Sequence, residues 1–266
     1  MKKVIKHSIA LLLAVIMMVS ISPLKPYADD TKDSGILPTD VYIVIDNSWS
    51  MAKEDDGVTP GGSDPNRLAI QCAEAFYQES PANNSAIGVI TFSGNGEPTL
   101  HPDFLYIMQN TCALRDRYCP SAKVSVLSNS TQLGRPDVVE ALRLCDHKIL
   151  KLDAATDEMM RRIDQPVNRN LTISQLIEWL VQFKGEFILQ TCFLRGEHNG
   201  QIIDNTTSKE LEAWYHAVEQ LHPKQIMIYV IDRKTPEEKL EKISREEMER
   251  IAAPLLAKGY DVIISA

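Results

Sequence analysis

Cysteine is scarce in this chain. Cys72, Cys112, Cys119, Cys145 and Cys192 are too few in 266 residues to hold a disulfide framework, and the odd number leaves one thiol over. Excess positive charge is missing too: 28 basic residues stand against 36 acidic ones, a formal net charge of −8. Such a balance repels phosphate backbones and argues against general nucleic-acid binding. Long apolar runs are absent but for Ile9 to Ile21, whose roughly 13 residues fall short of the ~20 that a membrane-crossing helix needs. Neither an internal repeat nor a low-complexity tract is found. What is present, 44% apolar and 24% charged residues, is an ordinary globular composition. It excludes bulk disorder, a multi-span membrane protein and a collagen-like repeat.

The one apolar run follows Lys2, Lys3 and Lys6 and precedes Pro26-Tyr27-Ala28, a small-residue cleavage site before Asp29. A basic start, a short apolar centre and such a site are the parts of a secretory signal peptide. Residues 1–28 are therefore expected to be removed, with no stable membrane span left behind. Residues 29–39 read as a polar linker. This segment implies a secreted, periplasmic or cell-envelope protein.

Beyond the linker, short β-branched apolar runs recur at Val41–Ile45, Ile87–Phe92, Val124–Leu127, Ile149–Leu152, Phe187–Leu194, Ile226–Ile231 and Val262–Ile264. Stretches with helical spacing lie between them, such as Arg67 to Tyr77 with Leu68, Ile70, Cys72, Ala73 and Phe76. Thr172-x-x-Gln175, Thr207-x-x-Glu210 and Ser244-x-x-Glu247 have the capping-box pattern, in which a hydroxyl and an acid or amide satisfy opposing backbone donors. Alternating strands and helices predict an α/β fold with a parallel sheet or barrel covered by helices. Ligands in such folds sit at the carboxyl ends of the strands, so functional residues are sought just after each apolar run.

After the first run comes Asp46-Asn47-Ser48-Trp49-Ser50-Met51. Asp46, Ser48 and Ser50 put one carboxylate and two hydroxyls, all hard oxygen donors suited to magnesium, on a tight loop. The pattern resembles the metal-ion-dependent adhesion site of von Willebrand factor A-like domains. Asp64-Pro65-Asn66-Arg67-Leu68 and Ile87 to Ser93 extend the resemblance over about residues 40–93. It implies a magnesium-dependent binding or adhesion module on a three-layer Rossmann-like sheet. The threonine and second aspartate that complete such a site on later loops have no counterpart after Ser93. Asp46 and Ser48 read equally as caps of the following turn.

After the second run the sequence changes character. Thr91-Phe92-Ser93-Gly94-Asn95-Gly96-Glu97-Pro98 resembles the second strand and glycine-rich loop of radical S-adenosylmethionine enzymes. Ala113 to Asp116, Val126 to Asn129, Leu150 to Asp153, Phe193 to Gly200, Asp204 to Thr207 and Tyr229 to Ile231 carry the resemblance to the end of the chain. It implies a partial (βα) TIM-like barrel of six or seven parallel strands. It implies S-adenosylmethionine as cofactor, with Gly94, Asn95, Gly96, Glu97 and Pro98 at its methionine end. Glu97 reads as a structural acceptor within that turn. The resemblance further implies that Asn129, Asp153, Gln190, Arg195 and His198 contact the ribose or carboxylate, near Tyr229 and Arg233. Asp153 could instead pair with Lys151 or Arg195, His198 could be solvated, and Asn129 could be an ordinary turn residue.

Enzymes of this kind hold a four-iron cluster on Cys-x3-Cys-x2-Cys after the first strand, because soft thiolates suit iron–sulfur clusters. Here Asp46 to Ser50 stand in that place, and no two cysteines are closer than Cys112 and Cys119, seven apart. Without the cluster no radical forms, so the chain reads as inactive and its hold on S-adenosylmethionine as weak or lost. The resemblance also implies a cytoplasmic protein, against the export segment. The two resemblances meet within Ile90-Thr91-Phe92-Ser93-Gly94. The chain therefore reads as a hybrid, joined by recombination or in sequence assembly, with a radical enzyme, a magnesium-dependent binding module and a non-functional hybrid as competing functions.

Overall fold

A computed structural model describes residues 39–45, 85–93, 96–198, 200–231 and 239–266. The signal segment, the Arg67–Tyr77 helix and the Asp46–Ser50 loop lie outside the described residues. The fold is α/β with parallel strands in a sheet that is not closed, as the alternation of apolar runs predicts.

The described residues fall into two compact units. Those within Met1–Val126 and Glu140–Asp146 form the first. It contains β1 (Thr39–Ile45) and β2 (Ser85–Phe92), paired in parallel, and most of β3 (Lys123–Ser128), parallel to β2. A single turn of 3-10 helix (Pro98–Leu100) and α1 (Phe104–Tyr118) follow β2. Arg115 on α1 donates to Asp146 Oδ2 at 2.8 Å and to the Ala122 carbonyl at 3.0 Å. Asp146 Oδ2 also accepts from the Val124 amide at 2.9 Å, so one ion pair ties the helix to the start of β3.

The second unit covers Leu127–Val139 and His147–Ala266. Its parallel strands are β4 (His147–Lys151), β5 (Ile188–His198), β7 (Gln225–Val230) and β9 (Val262–Ser265), paired in that order. Helices α3 (Asp157–Ile163), α4 (Ile173–Val181), α5 (Ser208–Leu221) and α6 (Arg245–Ala257) connect them. Helix α2 (Pro136–Arg143) divides its residues between the units.

Side chains alternate across each strand, and the alternation sets up the site. On β7, Ile226, Ile228 and Val230 are at most 3% exposed, whereas Gln225, Met227 and Tyr229 are half-buried on the other face. On β5, Thr191 and Phe193 share the helix-covered face. Trp214 of α5 packs edge-on against Phe193 with ring centroids 5.2 Å apart, and its indole N–H donates to Thr191 Oγ1 at 3.0 Å. Lys151, Gln190, Cys192 and Tyr229 therefore fall on the opposite face, with Lys151 in register with Gln190 and Cys192 with Tyr229.

Two expectations need correction. The fifth apolar run ends at Leu194, but β5 continues to His198. Its polar end, Arg195 to His198, leaves the parallel sheet and forms an antiparallel ribbon with β6 (Gln201–Asp204) on one side and β8 (Leu240–Lys242) on the other. A ribbon held by backbone pairing needs no continuous apolar stretch, so the hydrophobic pattern does not mark it. The second correction concerns the capping boxes. Thr172 and Gln175 form a complete one. Thr207 and Ser244 accept from the amides of Glu210 and Glu247 as expected, but both carboxylates are engaged elsewhere, in contacts described below.

Gly196 is where the ribbon crosses most tightly. Its φ is +141°, and a Cβ placed there would lie 2.2 Å from the Lys239 carbonyl oxygen, a backbone atom with little room to move. Gly196→Ala is expected to lower folding stability by about 2 to 4 kcal/mol, through the strained φ and the clash. Chemical denaturation checks this; a loss below about 0.5 kcal/mol contradicts it.

Candidate functional site

The second unit gathers polar groups at the carboxyl ends of β4 and β5. Asp153, two residues past β4, is 8% exposed. Its Oδ2 lies 2.7 Å from Lys151 Nζ, and its Oδ1 accepts from the Cys192 amide at 2.8 Å. Asn205, at the end of β6, locks the same region. It accepts from the Leu194 amide at 2.9 Å and donates to the carbonyls of Asp153 and Cys192 at 2.8 and 2.6 Å. Thr191 Oγ1 donates to the Leu152 carbonyl at 2.9 Å. Glu210 of α5 accepts from the Ala155 amide at 3.0 Å and from the Thr156 hydroxyl, which also caps α3. The loop after β4 is thereby held by β5, β6 and α5 at once.

The electrostatics follow from this geometry. Burial alone would lower the Lys151 ammonium, but the adjacent Asp153 carboxylate outweighs it and holds Lys151 charged well above the usual lysine range. Lys151 Nζ also sits 5.7 Å from the Tyr229 ring centroid. Burial, with the Asp153 charge adding to it, pushes the Cys192 thiol up to about 12 and the Tyr229 hydroxyl up to about 12. Both stay protonated at neutral pH.

A second group centres on Arg195. One terminal nitrogen donates to Thr206 Oγ1 at 2.5 Å and to the Glu247 carboxylate. Asp204 organises the turn by accepting from the Thr206 amide at 2.8 Å and its hydroxyl at 2.6 Å. Arg195 Nε lies 3.9 Å from Asp204 Oδ2, is buried, and has no hydrogen-bond partner. A buried N–H left unmade costs about 1–3 kcal/mol, so this donor is suited to an acceptor from outside the chain.

The sequence-selected residues separate accordingly. Asp153 and Arg195 stand in these groups, and Gln190 lies on the open face beside Lys151. His198 pairs with Gln201 at the end of the ribbon. Asn129 is an exposed turn residue whose Oδ1 accepts from the Thr131 amide at 3.0 Å and its hydroxyl at 2.7 Å. In the first unit, Glu97 is buried and accepts from the Thr99 amide at 3.1 Å and its hydroxyl at 2.5 Å, capping the turn that starts at buried Pro98. Glu97 thus has the structural part that the sequence implies. Gly96 is exposed beside it. Gly94, Asn95, Asp46, Ser48, Ser50 and Arg233 lie outside the described residues. Sequence reasoning missed the work of Thr191, Glu210, Trp214 and Glu247. For the two glutamates the only signal was their place in capping patterns.

A four-iron cluster does not fit the described residues. Cys112, Cys119, Cys145 and Cys192 form no disulfide. Burial raises the Cys112 and Cys119 thiols, and Cys145 Sγ donates to the Ala141 carbonyl from a buried position. Cluster ligands must be thiolates. Among the described residues, no three His, Cys, Asp or Glu side chains stand together as a metal site. No described helix is long and apolar enough to cross a membrane.

No family model matches the chain. Curated relatives include a protein named GTPase Obg from Brachyspira hyodysenteriae, 28% identical over 183 residues, covering 66% of this chain and 25% of that one. Another is a UPF0026 protein from Helicobacter pylori, 26% identical and covering 61% and 49%. The chain spans a quarter to a half of the length of these relatives. Among solved structures, SuiB from Streptococcus suis bound to S-adenosylmethionine matches with a TM-score of 0.57 over 86% of this chain and 51% of that one, at 12% identity. Coproporphyrinogen III oxidase from Escherichia coli, a radical S-adenosylmethionine enzyme, matches with 0.53 over 85% and 54%, also at 12% identity. The fold is shared with radical S-adenosylmethionine enzymes. A domain of the pyruvate-formate lyase-activating enzyme from Bacteroides vulgatus matches over 99% of its own length and 67% of this chain, with a TM-score of 0.50 and 17% identity. None of these likenesses supports the von Willebrand factor A resemblance.

Proposed function

We propose that the second unit binds S-adenosylmethionine at the carboxyl ends of β4 and β5, as a radical-enzyme fold without radical chemistry of its own. The observation that carries this reading is the fold shared with SuiB in its S-adenosylmethionine-bound form. The polar groups at the strand ends support it. Arg195 Nε is an unfilled donor suited to a ribose oxygen, and Gln190 lines the open face next to Lys151. Asp153 acts as a positioning residue, since both its oxygens are already engaged. With no cluster ligands grouped among the described residues, the proposed role is to bind and orient the molecule, with no bond-breaking step. Nucleotide hydrolysis is not proposed, because no glycine in the chain precedes a lysine and a phosphate-binding loop is therefore absent.

Calorimetric titration with S-adenosylmethionine tests the reading. Binding is expected to be weak, with Kd above about 10 μM, because contacts to iron are missing. Arg195→Ala is expected to weaken it a further ~10-fold through loss of a charge-assisted donor, at a denaturation midpoint that shows the fold retained. Absence of any binding heat to the wild-type chain contradicts the proposal.

A further inference from the structure

Arg195 and Asp204 stand opposite one another in the antiparallel register of β5 and β6, yet they do not form a hydrogen-bonded pair. Arg195 carries its Nε–H and one N–H of the terminal nitrogen Nη2 on a single edge of the guanidinium, the edge that grips a carboxylate with two parallel bonds. On the Nη2 side the Thr206 hydroxyl stands between the two groups. It accepts from Arg195 Nη2 at 2.5 Å and donates to Asp204 Oδ1 at 2.6 Å. On the other side Arg195 Nε stops 3.9 Å from Asp204 Oδ2, about 1 Å too far for a hydrogen bond. Both partners are held from behind. The Glu247 carboxylate takes another N–H of Nη2, and the Thr206 amide donates to Asp204 Oδ1 at 2.8 Å. The pair therefore cannot close while the Thr206 hydroxyl is in place. The two side chains are 33% and 29% exposed, so the gap belongs to the surface of the site and not to the core.

A donor and an acceptor facing each other at this distance suit one chemical group. A hydroxyl accepts from Nε at about 2.9 Å and donates to Oδ2 at about 2.7 Å, and both lengths fit on a base of 3.9 Å. An ether or carbonyl oxygen accepts but cannot donate, and a carboxylate or phosphate oxygen meets the Asp204 charge. We propose that Thr206 is a wedge that keeps the Arg195–Asp204 pair open for a ligand hydroxyl, with Asp204 as the acceptor of that hydroxyl's proton. Asp204 is then a specificity-determining residue and Thr206 a positioning residue. The inference rests on the S-adenosylmethionine reading above, under which the hydroxyl is one of the two on the ribose.

Thr206→Ala removes the wedge and Thr206→Ser keeps it, and both are compared with the wild type in the full chain. Heteronuclear NMR follows the Arg195 Nε–H, assigned by its loss in Arg195→Lys. Its exchange with water is expected to slow by about tenfold or more in Thr206→Ala, where the pair closes, and to stay unchanged in Thr206→Ser. In calorimetry S-adenosylmethionine is expected to bind Thr206→Ser within about threefold of the wild type and Thr206→Ala about tenfold or more weakly. S-adenosylmethionine lacking its 2′ or its 3′ hydroxyl tests the same point on the wild-type chain: one of the two analogues is expected to lose about tenfold there and to lose nothing further in Thr206→Ala. Unchanged Nε–H exchange in Thr206→Ala, equal affinity of that variant and the wild type, or full affinity of both analogues overturns the inference and leaves the binding reading standing. No binding heat with the wild type removes the reading, and the exchange rates then decide alone whether Thr206 holds the pair apart.

Discussion

Asp153→Ala is expected to cost about 2 to 4 kcal/mol of folding stability, among the larger losses for any single change in the second unit. The residue is 8% exposed and joins two strands: one oxygen faces Lys151 Nζ at 2.7 Å and the other accepts from the Cys192 amide at 2.8 Å. Truncation leaves an ammonium and a buried backbone N–H without their partner. Lys151 retains 30% side-chain exposure, which lets water recover part of its solvation and keeps the loss below that of a fully buried pair. Asp153→Asn keeps an acceptor for the amide and is expected to lose about half as much. Urea denaturation of the three proteins checks both values. A loss under about 0.5 kcal/mol for the alanine variant would mean that the ion pair is decorative.

The second large effect is alkaline. Cys192 and Tyr229 are both raised to about 12, from 9.0 and 10.0 in the open chain, by burial and then by the Asp153 charge. Lys151 is raised as well, by Asp153 against the opposing effect of burial. For all three groups the unfolded chain releases its proton before the folded one does. Their stabilisation is therefore complete below pH 9 and is lost progressively as pH rises from 9 towards 12. Each tenfold difference in proton affinity between the folded and unfolded chain is worth about 1.4 kcal/mol, and because the three groups act on one another the loss is smaller than their separate shifts would add up to, on the order of a few kcal/mol. Cys192→Ala removes the first of these titrations and moves the onset from about pH 9 to about pH 10. Denaturation midpoints across a range from neutral to strongly alkaline pH give the profile; a flat curve refutes the buried cluster.

Much of the fold is legible in the sequence because its parallel strands are buried and nearly all apolar. Val124 and Val126, Leu189 and Phe193, and Ile226, Ile228 and Val230 announce their strands by composition alone. The ribbon formed by Arg195–His198, β6 and β8 cannot be found this way, because backbone pairing holds it and its strands are too short and mixed, with Ile202, Ile203 and Leu240 among polar residues, to form an apolar run. The site is legible as residue types more than as contacts. Asp153 and Arg195 stand out by type and position, and Lys151 is one of two partners that the sequence allows for Asp153. Glu210 and Glu247 look like capping residues, and only the structure shows them reaching Thr156 and Arg195. A spacing of three residues identifies a cap; a partner some fifty residues away leaves no local trace.

The proposed lack of a four-iron cluster is the point on which the functional account stands, and iron content tests it most directly. The full chain is to be incubated anaerobically with ferrous iron, sulfide and reductant, desalted, assayed for iron and studied by electron paramagnetic resonance. Cys112, Cys119 and Cys192 thiols raised by burial, with no three metal-ligating side chains together among the described residues, predict less than about one iron per chain and no cluster signal. About four irons per chain, with a signal from a reduced four-iron centre, would contradict it.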